Sequence, residues 1–403
     1  MSRRIGFNLQ PLASSLLTGI GIYTMEIVRR LPGVLGNEFD CEGQVFDFAG
    51  RNHAEERIRS ILVPAEGELS DTAVSYPVRT CRLFPLGAYI RAGSFGRIVP
   101  YQRLLRSKTD ITVFFNYLRP DCVAGKSIIT VYDMVSARFP ETMDKRNRNL
   151  LRKYLAKSCR KADLIITISE FSKKEITACL GISPEKIRVA LCGFDSNMYY
   201  PAVDSAEKGE IRQKLAEIYQ ISSPFILYLG TLEPRKNVDV LLDSFAALHS
   251  RYPDLKLVIA GGLGWQYGKT LAHLSDLGLG DSIIRTGYIP ETDKRMFYAS
   301  AEVFVFPSIY EGFGLPVLEA MACGTPVVCS NTSSLPEVVG DAGLLCDPGN
   351  AQAFADAIER ILTDKGLRDG LHARQRDQVT QFTWENAANV YGQSIRDVVK
   401  LHK

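Results

Sequence analysis

No apolar run in the chain approaches the roughly 20 residues that a helix needs to cross a bilayer. The nine cysteines are odd in number and scattered, with no Cys-x-x-Cys pair, and the five histidines form no His-x-x-x-His. A disulfide framework and a zinc centre are therefore not expected, and the thiols read as reduced and intracellular. No metal site and no bound cofactor is predicted. The start lacks the pattern of a secretory leader. Met1-Ser2-Arg3-Arg4 is basic, but Ile5 to Leu9 is only a strand-length apolar run that contains Asn8. A cytoplasmic protein is the expectation. A formal charge of +3 is too small, taken alone, to argue for a nucleic-acid partner. Low-complexity tracts and internal repeats are also missing.

What is present is enough apolar residue, 46% over 403 positions, for more than one core. Short apolar runs alternate with segments of helical period. Strands are predicted at Ile5–Asn8, Gln44–Phe48, Thr112–Phe115, Ser127–Val131 and Leu164–Ser169. In the second half they fall at Phe225–Gly230, Lys256–Ala260, Ser282–Thr286, Val303–Pro307 and Pro326–Cys329. Near-continuous apolar strands separated by helices such as Asn237–Ser250 and Gly314–Met321 mean parallel sheets covered on both faces. The alternation breaks once, in the polar stretch Asn197–Ser223. The fold class is thus α/β, with two doubly wound Rossmann-like domains facing a cleft. Residues 1–200 are read as one domain, 201–223 as a linker and 224–382 as a second domain. Residues 383–403 are read as a terminal helix capped by Thr383 that packs back on the first domain.

Two stretches are basic without any acid. Seven basic residues lie in Thr72–Thr109 and eight in Lys145–Lys161. In the first they mix with Tyr76, Phe84, Tyr89, Phe95 and Tyr101. Such a mixture suits an anionic membrane surface; a solvated face or a surface for another anion is the alternative.

The densest signal is Glu311-Gly312-Phe313-Gly314-Leu315-Pro316-Val317-Leu318-Glu319, directly after the strand Val303–Pro307. Gly312 and Gly314 permit close backbone approach by a ligand. The helix that begins near Gly314 offers free N–H groups to a diphosphate or a sugar oxygen. Eight residues separate Glu311 from Glu319, a little over two turns, so the two acids reach different parts of one elongated ligand. A second signal is Gly230-Thr231-Leu232-Glu233-Pro234-Arg235-Lys236-Asn237, where the first strand of the second domain gives way to a helix. Arg235 and Lys236 can neutralise a diphosphate leaving group without a metal. Thr18-Gly19-Ile20-Gly21 opens a helix after the first strand, and Gly19 and Gly21 let the backbone approach a phosphate. Tyr132-Asp133 sits at another strand end, with Asp133 either in the site or capping a helix. Lesser candidates are Ser169-Glu170-Phe171-Ser172 and Gly287-Tyr288-Ile289-Pro290. Gly268-Lys269-Thr270 imitates a P-loop, but the required upstream glycine falls on Leu263.

The stretch Pro307–Val328, continued by Ser334-Leu335-Pro336-Glu337-Val338 and Asp347-Pro348, resembles the signature of the family 4 retaining glycosyltransferases of the GT-B fold. The Glu-Pro-Arg-Lys-Asn version of the basic loop looks like bacterial polysaccharide mannosyltransferases. The resemblance implies that Glu319 binds the ribose hydroxyls and Glu311 faces the donor sugar. It places backbone amides of Phe313, Gly314 and Leu315 on sugar and phosphates, and the backbone near Tyr288 on the base. Two departures stand out. Thr231 replaces a common arginine, whose charge Arg235 supplies, and Tyr132 replaces a histidine that precedes Asp133. Catalytic residues are therefore expected at Glu311, Arg235, Lys236 and Asp133. The remaining donor contacts fall at Gly19, Gly21, Tyr288, Phe313, Gly314, Leu315 and Glu319.

The implied reaction moves a hexose, foremost mannose from GDP-mannose, with retention and without metal, onto a growing lipid-linked surface polysaccharide such as an O-antigen. The resemblance makes residues 1–200 the acceptor-binding domain and 224–382 the nucleotide-sugar-binding domain, and the implied partners are the nucleotide sugar, that acceptor and, peripherally, an anionic inner membrane. The alternatives are transfer of rhamnose, glucose or GlcNAc from GDP, UDP or dTDP, and a nucleotide-sugar-binding subunit without activity.

Overall fold

The computed structural model describes residues 2–14, 17–62, 76–93, 99–264 and 266–400. The chain divides into two compact units. One comprises Met1–Ala137, Lys145–Gly193 and Thr383–Lys403, and the other Arg138–Asp144 and Phe194–Phe382.

The first unit is built on seven parallel strands: β1 (Arg3–Asn8), β2 (Phe39–Phe46), β3 (Val78–Cys81), β4 (Ile111–Phe114), β5 (Lys126–Thr130), β6 (Leu164–Thr167) and β7 (Ile187–Val189). Their order is β3-β2-β1-β4-β5-β6-β7. The second unit repeats the scheme with β8 (Phe225–Leu229), β9 (Lys256–Ala260), β10 (Ile283–Gly287), β11 (Val303–Phe306), β12 (Val327–Ser330) and β13 (Leu344–Cys346), ordered β10-β9-β8-β11-β12-β13. In each sheet the winding reverses once, between β1 and β4 and between β8 and β11. The loops leaving those strands splay to opposite faces and open a crevice at the strand ends. All of β4, β6, β8, β11 and β12 is buried, as their unbroken apolar sequences require.

All ten expected strands form, with ends shifted by a few residues. The three not foreseen, β3, β7 and β13, are sheet edges of three or four residues. Partial exposure admits Arg79 into β3 and Arg188 into β7, which hides the apolar pattern, and β13 is only Leu344-Leu345-Cys346, too short to stand out. The linker expected at 201–223 is corrected. Most of it is the helix Ser205–Tyr219, inside the second unit. Asp204 caps it, accepting from the Ala206 and Glu207 N–H groups at 2.9 Å each. Only Ile211 and Leu215 are buried along it, too narrow a stripe for the sequence to reveal. The change of unit falls earlier, at Gly193–Phe194.

The terminal helix Trp384–Lys400 belongs to the first unit, where it packs on the helix Gly19–Leu35. Thr383 accepts from the Asn386 N–H at 3.1 Å. Tyr391 shares a 2.7 Å hydrogen bond with Thr130, and Tyr23 meets Trp384 edge-on at 5.6 Å.

The basic stretches are only partly surface. Tyr76, Tyr89 and Tyr101 lie in the core, and Tyr89 stacks on Phe46 at 5.6 Å, so an inserting role for Tyr89 is corrected. Phe84 is exposed, whereas Phe95 and Arg97 lie outside the described residues. In the helix Lys145–Lys161, Lys157 and Lys161 both bind Asp121, at 2.6 and 2.8 Å. No helix among the described residues is long and apolar enough to cross a membrane.

The closure of the first unit by its terminal helix has a direct test. A Cβ on Gly193 would stand 2.3 Å from the Trp384 backbone nitrogen and 2.6 Å from the Thr383 carbonyl carbon. Gly193→Ala is expected to cost about 1–3 kcal/mol, read from the urea midpoint. Gly209→Ala, in the helix Ser205–Tyr219 with open space at its Cβ, is expected to be neutral or stabilising. An unchanged midpoint for Gly193→Ala contradicts the packing.

Candidate active site

In the second unit, the loops leaving β8 and β11 flank the reversal of winding, and Arg235, Lys236 and Glu311 converge there. The loop after β8 carries Arg235 and Lys236; the loop after β11 carries Glu311. The two loops are stitched together. The Ile309 N–H donates to the Arg235 carbonyl at 2.9 Å. Asn237, held at φ 56°, donates its amide to the carbonyls of Pro307 at 3.1 Å and Pro348 at 2.7 Å.

Glu311 is 7% exposed and binds both cations: Lys236 Nζ at 2.7 Å and Arg235 Nη1 at 2.9 Å. Arg235 is also held by Glu233 and by the Tyr310 carbonyl. Lys236 lies 4.9 Å over the Phe306 ring. Burial alone would raise the Glu311 carboxyl, but Arg235 and Lys236 outweigh it and hold it at about 2. Burial pulls the Lys236 ammonium below its ordinary value against the attraction of Glu311. A carboxylate of this kind accepts hydrogen bonds and does not deliver protons near neutral pH.

Gly314 stands at φ 113° as the cap of the helix Leu315–Ala322, an angle that disfavours any side chain. A Cβ there would also meet Leu335 Cδ2 at 2.7 Å. The motif is braced from behind by two serines. Ser333 Oγ accepts from the Glu311 N–H at 3.0 Å. Ser334 Oγ lies 3.0 Å from the Glu311 carbonyl and 2.7 Å from that of Phe313. The Phe313 ring is buried edge-on against Phe382, so its amide, not its ring, is what a ligand can meet. At the start of this helix Pro316 carries no N–H and the Val317 and Leu318 N–H groups donate to the Gly314 carbonyl at 3.0 and 3.3 Å, so the Leu315 N–H is the one of the first turn without an intrahelical acceptor.

Glu319 is 7% exposed, accepts from the Tyr298 hydroxyl at 2.8 Å and lies 3.7 Å from Lys294 Nζ. Lys294 in turn binds Glu291 at 2.9 Å, and Glu291 accepts from the Tyr199 hydroxyl. Burial raises the Glu319 carboxyl, with Lys294 opposing. Burial would lower the Lys294 ammonium, but Glu319 and Glu291 raise it. Tyr288, next to this group in sequence, is 71% exposed.

Sequence reasoning missed Lys294, Tyr298, Ser333 and Asn237. Lys294 follows the singled-out Gly287–Pro290 by four residues, and Ser333 immediately precedes the quoted Ser334; neither position declares its contact. Gly19, Gly21 and Asp133 belong to the first unit. Gly19 opens the helix Gly19–Leu35, capped by Thr18, which accepts from the Gly21 N–H at 3.4 Å. Asp133 accepts from the Val135 N–H at 3.0 Å, a capping bond to the short helix Val135–Arg138. The Tyr132 ring is core, its hydroxyl donating to the Phe115 carbonyl at 3.1 Å.

Comparison with known proteins places these features. Residues 18–197 match the family described as Glycosyltransferase Family 4, and residues 208–378 match Glycosyl transferases group 1. The chain is 34% identical to the O-antigen chain mannosyltransferase B of Escherichia coli, over 95% of this chain and 97% of that protein. It is 32% identical to the serotype-specific mannosyltransferase WbdA of Escherichia coli over 67% of this chain, which spans 33% of that longer protein. Among solved structures, sucrose-phosphate synthase from Thermosynechococcus elongatus is similar at TM-score 0.69 and 21% identity, covering 99% and 100% of the two chains. Anabaena HepE in complex with UDP and glucose is similar at TM-score 0.68 and 19% identity, covering 98% and 100%. These structural likenesses bear on the fold, two parallel α/β units.

The Glu311 cluster has a pH signature. Its carboxyl lies at about 2 in the fold against an ordinary 4.5. Its stabilisation is therefore fully present above about pH 4.5 and is lost as pH falls toward 2. Glu311→Gln leaves two buried cations short of a partner and is expected to cost of the order of 3 kcal/mol at pH 7. In denaturant titrations that difference should shrink steadily below about pH 4.5. A difference that stays constant with pH contradicts the ion pairing.

Proposed function

The chain belongs to the Family 4 glycosyltransferases of the GT-B fold, and on that premise we propose that it transfers mannose from GDP-mannose, with retention and without metal, to a growing surface polysaccharide. The observation that carries this reading is the buried Glu311–Arg235–Lys236 cluster beside the Gly314 helix start. A nucleotide diphosphate at that helix N-terminus is met by backbone N–H groups and two cations. Arg235 and Lys236 then turn part of their bonding from Glu311 to the phosphate oxygens, which stabilises the departing diphosphate. Glu311, ionised, is left to accept from a donor-sugar hydroxyl and orient the ring. Glu319 accepts from the ribose, with Tyr298 and Lys294 fixing its oxygens. For retention, the acceptor approaches the face that the diphosphate leaves, and a phosphate oxygen takes the acceptor proton. Gly19 and Gly21 would bring the first-unit helix start to the phosphates, and Tyr288 marks the base end. Asp133 is assigned to the donor sugar.

Mannose and the polysaccharide acceptor are supported by the likeness to the O-antigen enzyme along nearly its whole length. The test is direct. The purified chain is offered GDP-mannose and other nucleotide sugars, with mannosylated oligosaccharides as acceptors, and the product anomer is read by NMR. GDP-mannose is expected to be used best, to give an α-linked product from its α-linked donor, and to work in EDTA. A strict Mg²⁺ or Mn²⁺ requirement, or inversion, contradicts the mechanism. Preference for UDP or dTDP sugars contradicts the donor assignment alone.

Peripheral contact with the anionic cytoplasmic face of a membrane fits a lipid-linked acceptor. Leu83 and Phe84, 64% and 46% exposed, form an apolar tip beside the exposed Arg82. Insertion of the tip together with basic side chains gives reversible attachment, each well-placed cation adding about 1 kcal/mol. Flotation with anionic liposomes is expected to weaken with salt and with Phe84→Ser. Equal recovery on neutral and anionic liposomes contradicts it.

A further inference from the structure

The segment between β2 and the helix Ala54–Leu62 builds a cavity that the donor chemistry does not use. Its volume is about 550 Å³, and it is lined by Gln10, Ser14, Arg51, Asn52, His53 and Arg57 along with Ala13. It stands at the strand ends of β1 and β2, the end of an open α/β sheet at which ligands bind. No carboxylate is among its described lining residues. Arg57 donates to the Ala13 carbonyl at 2.6 Å, and Arg51 lies over the Phe48 ring at 5.4 Å. Neither has a carboxylate partner among the described residues. His53 is 3.4 Å from Glu56, both on the exposed rim.

The wall is held in place. The buried Asp47 accepts from the N–H groups of Asn52 and Ala54, at 3.1 and 3.0 Å. Gln10 brackets the end of β2, donating to the Phe46 carbonyl at 3.2 Å and accepting from its N–H at 3.1 Å. Between these clamps Ala49 and His53 are forced to φ 56° and 48°. Side chains disfavour such angles by about 1–3 kcal/mol each, and they persist where the surroundings over-determine them. The clamps thus hold the backbone that carries Arg51 and leads into the helix of Arg57, and both guanidinium groups line one polar cavity. Phe48, 41% exposed, presents a ring beside it.

Two guanidinium groups on one cavity, with no carboxylate among its described lining residues, select an oxyanion of phosphate geometry. The donor's diphosphate already has its cations, Arg235 and Lys236, in the other unit. A transferase has one further substrate. We propose that this cavity binds a phosphate group of the acceptor, next to a pyranose whose C–H face rests on Phe48, so that the acceptor is a phosphate-bearing glycan. The inference rests on the transferase reading above and narrows it.

The experiment compares three acceptors carrying the same terminal mannosides: a neutral methyl glycoside, a soluble glycosyl phosphate and a lipid-linked diphosphate in detergent. Wild type is expected to show a KM at least about tenfold lower for both phosphorylated acceptors than for the neutral one. Arg51→Gln with Arg57→Gln is expected to bring the three KM values together. If only the lipid-linked acceptor is favoured, and the double variant keeps that preference, the lipid is what is recognised and the proposal fails. Equal KM values in wild type also overturn it. Hydrolysis of the nucleotide sugar by wild type without acceptor reports the transferase reading separately. Should that be absent, calorimetry with inorganic pyrophosphate still decides. Binding by the Arg235→Gln, Lys236→Gln chain, whose donor cations are removed, that adding Arg51→Gln and Arg57→Gln abolishes supports the site, and no binding, or binding that survives the addition, overturns it.

Discussion

The site depends on one shared carboxylate. Glu311 is buried, and burial of a lone carboxylate is prohibitive; Arg235 and Lys236 are nearly as enclosed and equally costly alone. The three are tolerable only together. That mutual need fixes the loops after β8 and β11 against each other at the reversal of the second sheet. Every other feature of the site is arranged around this cluster. Asn237 and the Ile309–Arg235 backbone bond close the loops from the side, and Ser333 and Ser334 close them from behind. Gly314 then starts its helix where an anion would meet both cations.

A near-neutral cluster is also a receptive one. With Glu311 and Glu233 balancing Arg235 and Lys236, the cluster carries little net charge, and its cations are oriented by those carboxylates. An arriving diphosphate competes with carboxylates for donors already in place, so little reorganisation accompanies charge development on the leaving group. The second acid group, Glu319 with Tyr298, Lys294 and Glu291, is arranged on another principle. There burial raises the carboxyl and a lysine opposes it, which suits a group that accepts hydrogen bonds from neutral hydroxyls.

Much of this was legible before the fold was known, for physical reasons. Strands buried on both faces, such as β8 and β11, must be continuous apolar runs, and they read as such. The Glu311–Glu319 motif is legible because Gly314 needs a backbone angle that few residues accept. The edges β3 and β7 escaped because partial exposure lets Arg79 and Arg188 interrupt them, and β13 because it is only three residues long. The helix Ser205–Tyr219 escaped because only Ile211 and Leu215 face inward. The cavity at Arg51, His53 and Arg57 left no mark at all. It depends on Ala49 and His53 in left-handed conformations imposed by Asp47, and neither residue type announces such an angle. Tyr132, at a position where the family resemblance suggests a histidine, turned out to serve the core through the Phe115 carbonyl.

The central claim is that Arg235 and Lys236 exist to receive a diphosphate. Calorimetric affinities of the full chain for a nucleoside diphosphate and the matching monophosphate test it most directly. The account expects wild type to favour the diphosphate by about tenfold or more, and Lys236→Gln to lose that preference while still binding the monophosphate. Equal affinities in wild type, or a preference that survives Lys236→Gln, would contradict it.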